Sequence, residues 1–514
     1  MTKAQAQAWP ARRLPAEWEP AGAVLLAWPR ADGDWAPYLE DVRACYRRLL
    51  AALSALAPVL LLVDEPERVL LELGPELAAL TRQPFSPPGP ASANGSGAGG
   101  AAASGPSTTG SASGEPITGA LAAPRLRLLA SPARDTWTRD YGPITVLERQ
   151  LEPPTTATGA RLATAPWRAE DSTAQDSTAQ DSTARESTAG QSTAGATTCR
   201  ITTAGMTATV AATATRAATT SAVARPGSRH EQPLLLDFSF NGWGGKYASA
   251  GDDAATAALH ASGALGPVPL ERQALVLEGG SIESDGLGTL LTTSTCLLAP
   301  SRNPQLDPST LEAELKRLLG VERVLWLEQE ALAGDDTDAH IDTLVRFCPN
   351  DTLVYVQGEP IAPLADSAAR ERDAGSHGGS PIRCGERRTP AAHPRDGHGQ
   401  PGAAPPESLL ERQLRALRTA GGQPYRLVAL PPGPPRHAPD DGRPLPATYA
   451  NALFLNGSVL LPVYGDPERD ADAVAAWRQA CPEWRIQAID CSALLLQHGS
   501  LHCATMQIPA AVFG

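Results

Sequence analysis

The sequence predicts an α/β fold, and three observations carry that prediction. Apolar strand-like runs and amphipathic helix-like runs interleave from the beginning of the chain to its end. The composition, 42% hydrophobic and 19% charged over 514 residues, is rich enough to bury a real core. Stretches of low complexity fall between the strands and helices, where added loop length costs little.

Taken in order, strand-like runs occupy 24–28 (VLLAW), 59–63 (VLLLV), 234–240 (LLLDFSF), 274–277, 290–298, 352–357, 427–430, 452–464 and 486–490. Each is a short apolar run of the kind a half-buried or fully buried strand needs. Helix-like runs occupy 37–56, 65–81, 309–319, 407–420 and 470–481. Asp285-Gly286 marks a tight hairpin turn. Three tracts stand apart: 83–119 is Gly/Ser/Ala/Pro-rich, 153–232 holds the repeat DSTAQDSTAQDSTARESTAGQSTAG, and 366–406 is Gly/Pro-rich with His377, His393 and His398. A five-residue period is too short for a solenoid unit, so these read as disordered insertions into one domain spanning 1–514. The three histidines are too irregularly spaced for a dedicated metal site.

The net charge of −13 argues against nucleic acid as a partner and suits a small cationic ligand. Eight cysteines are scattered without a C-x-x-C pair, as in a reduced cytoplasmic protein. The N-terminus lacks the apolar stretch of a signal peptide, and no run is long enough to span a bilayer. A soluble, cytoplasmic protein is therefore expected, with oligomeric state left open.

Polar residues gather in five places: DTWTRDYGP, FNGWGGKY, LEGGSIESDGLGT, GDDTDAHIDTLVRF and the terminal GSLHC. If DTDAHIDTLVRF is extended, Asp336, Asp338, His340 and Asp342 share one face, expensive to bury without a cation. A solvated edge strand would also produce this pattern. A calcium loop would need a mid-loop glycine and a final glutamate that the segment lacks. GWGGK and EGGS lack phosphate-loop spacing. Cys503 has several readings on its own: a zinc corner with His498 and His502, half a disulfide, a core thiol, or a nucleophile.

These blocks, with LPAEWEP, WPRADGDW, LLAPSRNP and ATYANALFLNGSVLLPVYGD, occur in an order that closely resembles the agmatine deiminase family, relatives of bacterial peptidylarginine deiminase. The resemblance implies the pentein fold, a five-bladed α/β propeller of ββαβ-type units with the site in its axial channel. It implies hydrolysis of agmatine to N-carbamoylputrescine and ammonia, a step toward putrescine, with neither metal nor organic cofactor. Carried onto this sequence, it makes Cys503 the nucleophile, His340 the general acid/base, and Glu278 the residue that orients it. Asp140 and Asp342 become the guanidinium clamp, and Trp137 and Arg139 shape the substrate site.

The chemistry fits those assignments. Two carboxylates can hold a planar guanidinium bidentately, presenting its carbon to a thiolate, which an adjacent cation would favour. The sequence departs from the family where a Gly-Gly-Gly run is common: here the stretch is Gln497-His498-Gly499, and Ala450 stands where larger residues are usual. A deiminase acting on peptidyl or free arginine, or a catalytically silent binding protein, remains as an alternative.

Overall fold

The computed structural model describes residues 12–85, 124–149, 231–328, 331–357 and 408–514. The tracts at 86–119, 153–230 and 366–406, with His377, His393 and His398, lie outside them. All described residues belong to one compact unit formed by 1–151 and 230–514.

One pattern recurs in five sheets: a strand, an antiparallel partner, one or more helices, then a strand parallel to that partner. Ile144–Arg149 pairs antiparallel with Glu231–Ser239, which lies parallel to Leu270–Val276. Ile282–Ser284, Thr289–Thr293 and Arg323–Leu327 repeat the arrangement. So do Val345–Cys348, Thr352–Val356 and Arg426–Leu430, and then Leu453–Leu455, Ser458–Val463 and Arg485–Asp490. In the fifth sheet the two ends of the chain meet. Met506–Pro509 pairs antiparallel with Ala21–Ala27, which lies parallel to Val59–Val63, with Leu126–Ala130 added beyond.

Local sequence explains these elements. Val59–Val63 is buried at every residue, so it reads as a continuous apolar run rather than an alternating one. The helix Leu39–Ser54 buries Val42, Cys45, Tyr46, Leu49, Leu50 and Leu53 without exposure, at the spacing of one helical face. Each such leucine contributes about 1.5–3 kcal/mol, and Leu50→Ala would cost about 2–5 kcal/mol. Asn456 and Gly457 both have positive φ, the geometry a tight hairpin between Leu453–Leu455 and Ser458–Val463 requires.

Several expectations need correction. The 65–81 helix is two, Pro66–Glu72 and Pro75–Leu80, because Gly74 takes φ 80° and Pro75 starts anew. The 290–298 strand ends at Thr293, whose hydroxyl caps the helix Ser294–Leu297. The second tract ends earlier than expected, since Glu231 and Gln232 pair with Arg149 and Glu148. Most consequentially, 336–342 is not extended: Asp338 and Ala339 have positive φ, and Ile341–Thr343 is a 3-10 turn. The acidic face therefore does not exist as a strand face. Among the described residues no helix is long and apolar enough to cross a membrane.

Candidate active site

The five repeats place chemistry at one recurring position, the segment that runs into the first strand of each sheet. Asp140 precedes Ile144–Arg149, Glu278 precedes Ile282–Ser284, and His340 and Asp342 precede Val345–Cys348. Asn451 precedes Leu453–Leu455, and Cys503 precedes Met506–Pro509. Residues from all five sheets thus meet, though they are far apart in sequence.

Gly280 marks the centre of the meeting. A Cβ there would lie 2.7 Å from His340 Nδ1, 2.9 Å from Asp140 Oδ1 and 3.0 Å from Asp342 Oδ2. A side chain would displace all three, so the bare backbone is needed. Asp140 is held by the Gly280 N–H (3.0 Å to Oδ1) and the Trp243 indole N–H (2.9 Å to Oδ2). Asp342 Oδ2 lies 2.7 Å from His502 Nδ1, while its Oδ1 is buried with no partner among the described residues. His340 is likewise buried with no hydrogen bond to either ring nitrogen among the described residues, its Nδ1 3.7 Å from Asp140 and its Nε2 3.8 Å from Glu278. Native interiors rarely leave such atoms orphaned, and the exceptions deserve an explanation.

Electrostatics follow from this packing. Burial works against charge on His340, but Asp140, Cys296 and Glu278 outweigh it and raise its pKa well above the usual range. Burial likewise opposes ionisation of Glu278, yet His340 and Arg302 together lower its pKa. Arg302 grips both Glu278 oxygens at 3.0 and 2.8 Å. Burial pushes Asp140 up to about 6, against the pull of His340 and with Asp342 and Glu278 adding to the rise. Asp342 goes the other way: burial raises it, but His502 wins and lowers it. Burial, then Asp342 and Asp140, hold the Cys503 thiol well above its ordinary value. The charged group beside Sγ is Asp342, at 3.8 Å, rather than the expected cation.

A profile of the Porphyromonas-type peptidyl-arginine deiminases matches residues 13–223 and 215–509. The chain belongs to that family. An agmatine deiminase from Ectopseudomonas mendocina is 31% identical over 285 residues, covering 54% of this chain and 69% of the relative. A solved Porphyromonas gingivalis structure is 31% identical and covers 97% of this chain and 98% of its own, with a TM-score of 0.58. A substrate-bound cysteine-to-serine variant of the agmatine deiminase from C. jejuni, 22% identical with 97% and 96% covered, shares the fold at a TM-score of 0.57.

Within this deiminase-family site, the structure brings together Cys503, His340, Glu278, Asp140 and Asp342, and Trp137 joins them at the pocket wall. Trp137 packs so closely on Gly499 that a Cβ there would sit 2.5 Å from the indole. Arg139 is not brought to the pocket. Its guanidinium faces the carbonyl of His502, the Met506 sulfur and Gln507, in a separate cavity of about 110 Å³ behind the Cys503 segment. Its place among substrate-binding residues is thereby corrected to a supporting one. His498 and His502 turn to different partners, Gly334 and Asp342, rather than converging on a zinc corner with Cys503. The described cysteines, Cys503 included, are free.

Three neighbours were not anticipated. Asn451 Oδ1 accepts from the backbone of His502 (2.9 Å) and Cys503 (3.3 Å), and its Nδ2 lies 3.2 Å from Sγ. Trp243 and Arg302 support Asp140 and Glu278. The signal for Asn451 was available: it stands just before a first strand, as the other site residues do. The pocket over Cys503 is lined by Asp34, Asp135, Asp140, Asp335 and Asp336 with Trp137, Trp243 and Tyr247. No lysine or arginine lines it among the described residues.

Proposed function

We propose that this protein hydrolyses agmatine to N-carbamoylputrescine and ammonia through a covalent cysteine intermediate. One observation carries the reading: a pocket walled by carboxylates and indoles, with no lysine or arginine among the described residues that line it, ends on a buried thiol. A delocalised guanidinium at one end and an ammonium at the other both suit such walls. Free arginine would bring a carboxylate that nothing in this lining neutralises. The five recurring sheets support the finer arrangement as well, the five units set around one axis as in penteins.

In this mechanism the guanidinium enters between Asp140 and Asp342 and uses the open Oδ1 of Asp342. Its positive charge supplies the cation that the Cys503 environment lacks, so substrate binding releases the thiol proton to solvent and leaves a thiolate. The sulfur attacks the guanidinium carbon, and His340, kept protonated by Asp140 and Glu278, donates a proton to the departing nitrogen, which leaves as ammonia. Neutral His340 then takes a proton from water. The hydroxide adds to the thiouronium carbon, the C–S bond breaks, and the hydroxyl proton passes to the departing sulfur, giving the ureido product and the free thiol with His340 again protonated. Glu278, braced by Arg302, orients His340 throughout. The scattered cysteines suit a cytoplasmic setting.

The test is a ureido-product assay on agmatine, arginine and a peptidyl-arginine, each with and without chelator. Turnover of agmatine above the other two, insensitive to chelator, is expected. Preference for peptidyl-arginine would transfer the reading to the other branch of the family.

A further inference from the structure

We propose that His498 is a specificity-determining residue that confines the enzyme to guanidines carrying a single unbranched arm. The inference rests on the agmatine reading and deepens it. His498 lines the Cys503 pocket and has φ 65°, a left-handed conformation that glycine adopts freely and most other residues avoid. A bulky ring thus occupies a position whose backbone favours glycine or asparagine.

The ring is also fastened. His498 Nδ1 lies 2.7 Å from the Gly334 carbonyl, so it donates there. Gly334 itself has φ 86° and abuts Pro444, where a Cβ would come within 2.2 Å of the carbonyl oxygen. The bridge therefore anchors to backbone that cannot yield easily. Directly after Gly334 come Asp335, Asp336 and Thr337, which line the same pocket. Two further bridges cross nearby: Gln497 Nε2 to the Asp34 carbonyl at 2.9 Å, and Tyr247 to Asp336 at 2.8 Å. Segments around 34, 247, 334–337 and 497–499 are thus strapped together over the thiol.

A substrate must fit its far end under those straps. Agmatine presents a methylene and an ammonium there. In peptidyl-arginine the corresponding carbon is branched, with an amide nitrogen on one side and a carbonyl on the other. That branch needs width at the rim, and the fastened imidazole removes it.

The experiment compares kcat/KM for agmatine and for benzoyl-arginine amide, a neutral peptidyl-arginine mimic, in the full-length protein, H498G and H498N. Glycine relieves the left-handed backbone and removes the ring; asparagine tolerates that backbone and keeps only a short side chain. In both variants the amide-to-agmatine ratio is expected to rise about 10-fold or more, the size of a one-group steric discrimination. An unmoved ratio in both, with agmatine still turned over, overturns the role of His498 and leaves the proposed function standing. Absence of agmatine turnover in the unmutated protein overturns the function and this inference with it.

Discussion

The two sides of the His502–Cys503 segment are both largely buried and are oppositely wired. Behind it, Arg346 bonds Glu17 (2.6 Å), Glu283 and the Ala450 and Ala452 carbonyls, and His502 Nε2 lies 2.6 Å from Glu17. Each carboxylate there has a cation, and Arg139 is held by His502, Met506 and Gln507. In front, both His340 ring nitrogens and one oxygen of Asp342 have no hydrogen-bond partner among the described residues, and the hydrogen bonds to Asp140 come from neutral donors, with His340 3.7 Å away. The rear is hydrogen-bonded as folded, whereas the front keeps buried polar atoms open. Buried polar atoms left without a hydrogen bond cost stability, so the open Asp342 oxygen and His340 ring fit the proposed binding of a cationic guest.

That contrast predicts two kinds of mutant. Cys503→Ala, in front, is expected to lower ureido-product formation by at least about 10³-fold while leaving the urea-unfolding midpoint close to unchanged. Arg346→Met, behind, is expected to do the reverse in character. It strands Glu283 without its cation and leaves Glu17 only His502, and destabilisation of about 3–5 kcal/mol should appear in the unfolding midpoint. If Arg346→Met unfolds like the parent, the rear cluster is not what holds the segment.

Asn451 tests the join between the two sides, since it contacts Cys503 and the backbone of His502 but not the guanidinium clamp. Asn451→Ala should cut kcat by about 10- to 100-fold through a misplaced sulfur, with little change in KM. A rise in KM alone would place Asn451 on the substrate instead.

The sequence made the front legible and the rear nearly invisible. Cys503, His340, Glu278, Asp140 and Asp342 stand in blocks whose residue types the chemistry demands, so a resemblance could carry them. Arg139 misled because it shares a block with Asp140, yet the short helix Thr138–Tyr141 sends neighbouring side chains to opposite sides. Asn451 was marked only by its position before a first strand, and Arg302 acts through contacts to Glu278, Asp338 and Thr337 that no local pattern encodes. The expectation of a strand through 336–342 failed for a related reason. Period-two alternation of Asp336, Asp338, His340 and Asp342 resembles a strand face, but positive φ at Asp338 and Ala339 folds the segment inward. There Arg302 takes Asp338 (2.7 Å) and the Thr337 carbonyl (2.9 Å), so a distant cation determines the local backbone.

The mildest test is titration of the front against itself. Burial holds Asp140 at about 6, above the usual carboxylate value of about 4. Below about 6 the carboxyl is neutral and cannot grip a guanidinium, so kcat/KM for agmatine should fall roughly tenfold per pH unit as pH drops through that point. The stability linkage runs the other way. Because the folded pKa is raised, the folded state holds a proton that the unfolded chain has lost between about 4 and 6, and this contribution to stability disappears as pH rises through that window. Asp140→Asn, an uncharged near-isostere, should remove the activity limb and also abolish the decline in melting temperature across the same interval. An activity limb at about 6 that persists in Asp140→Asn would assign the titration to another group and detach Asp140 from the clamp.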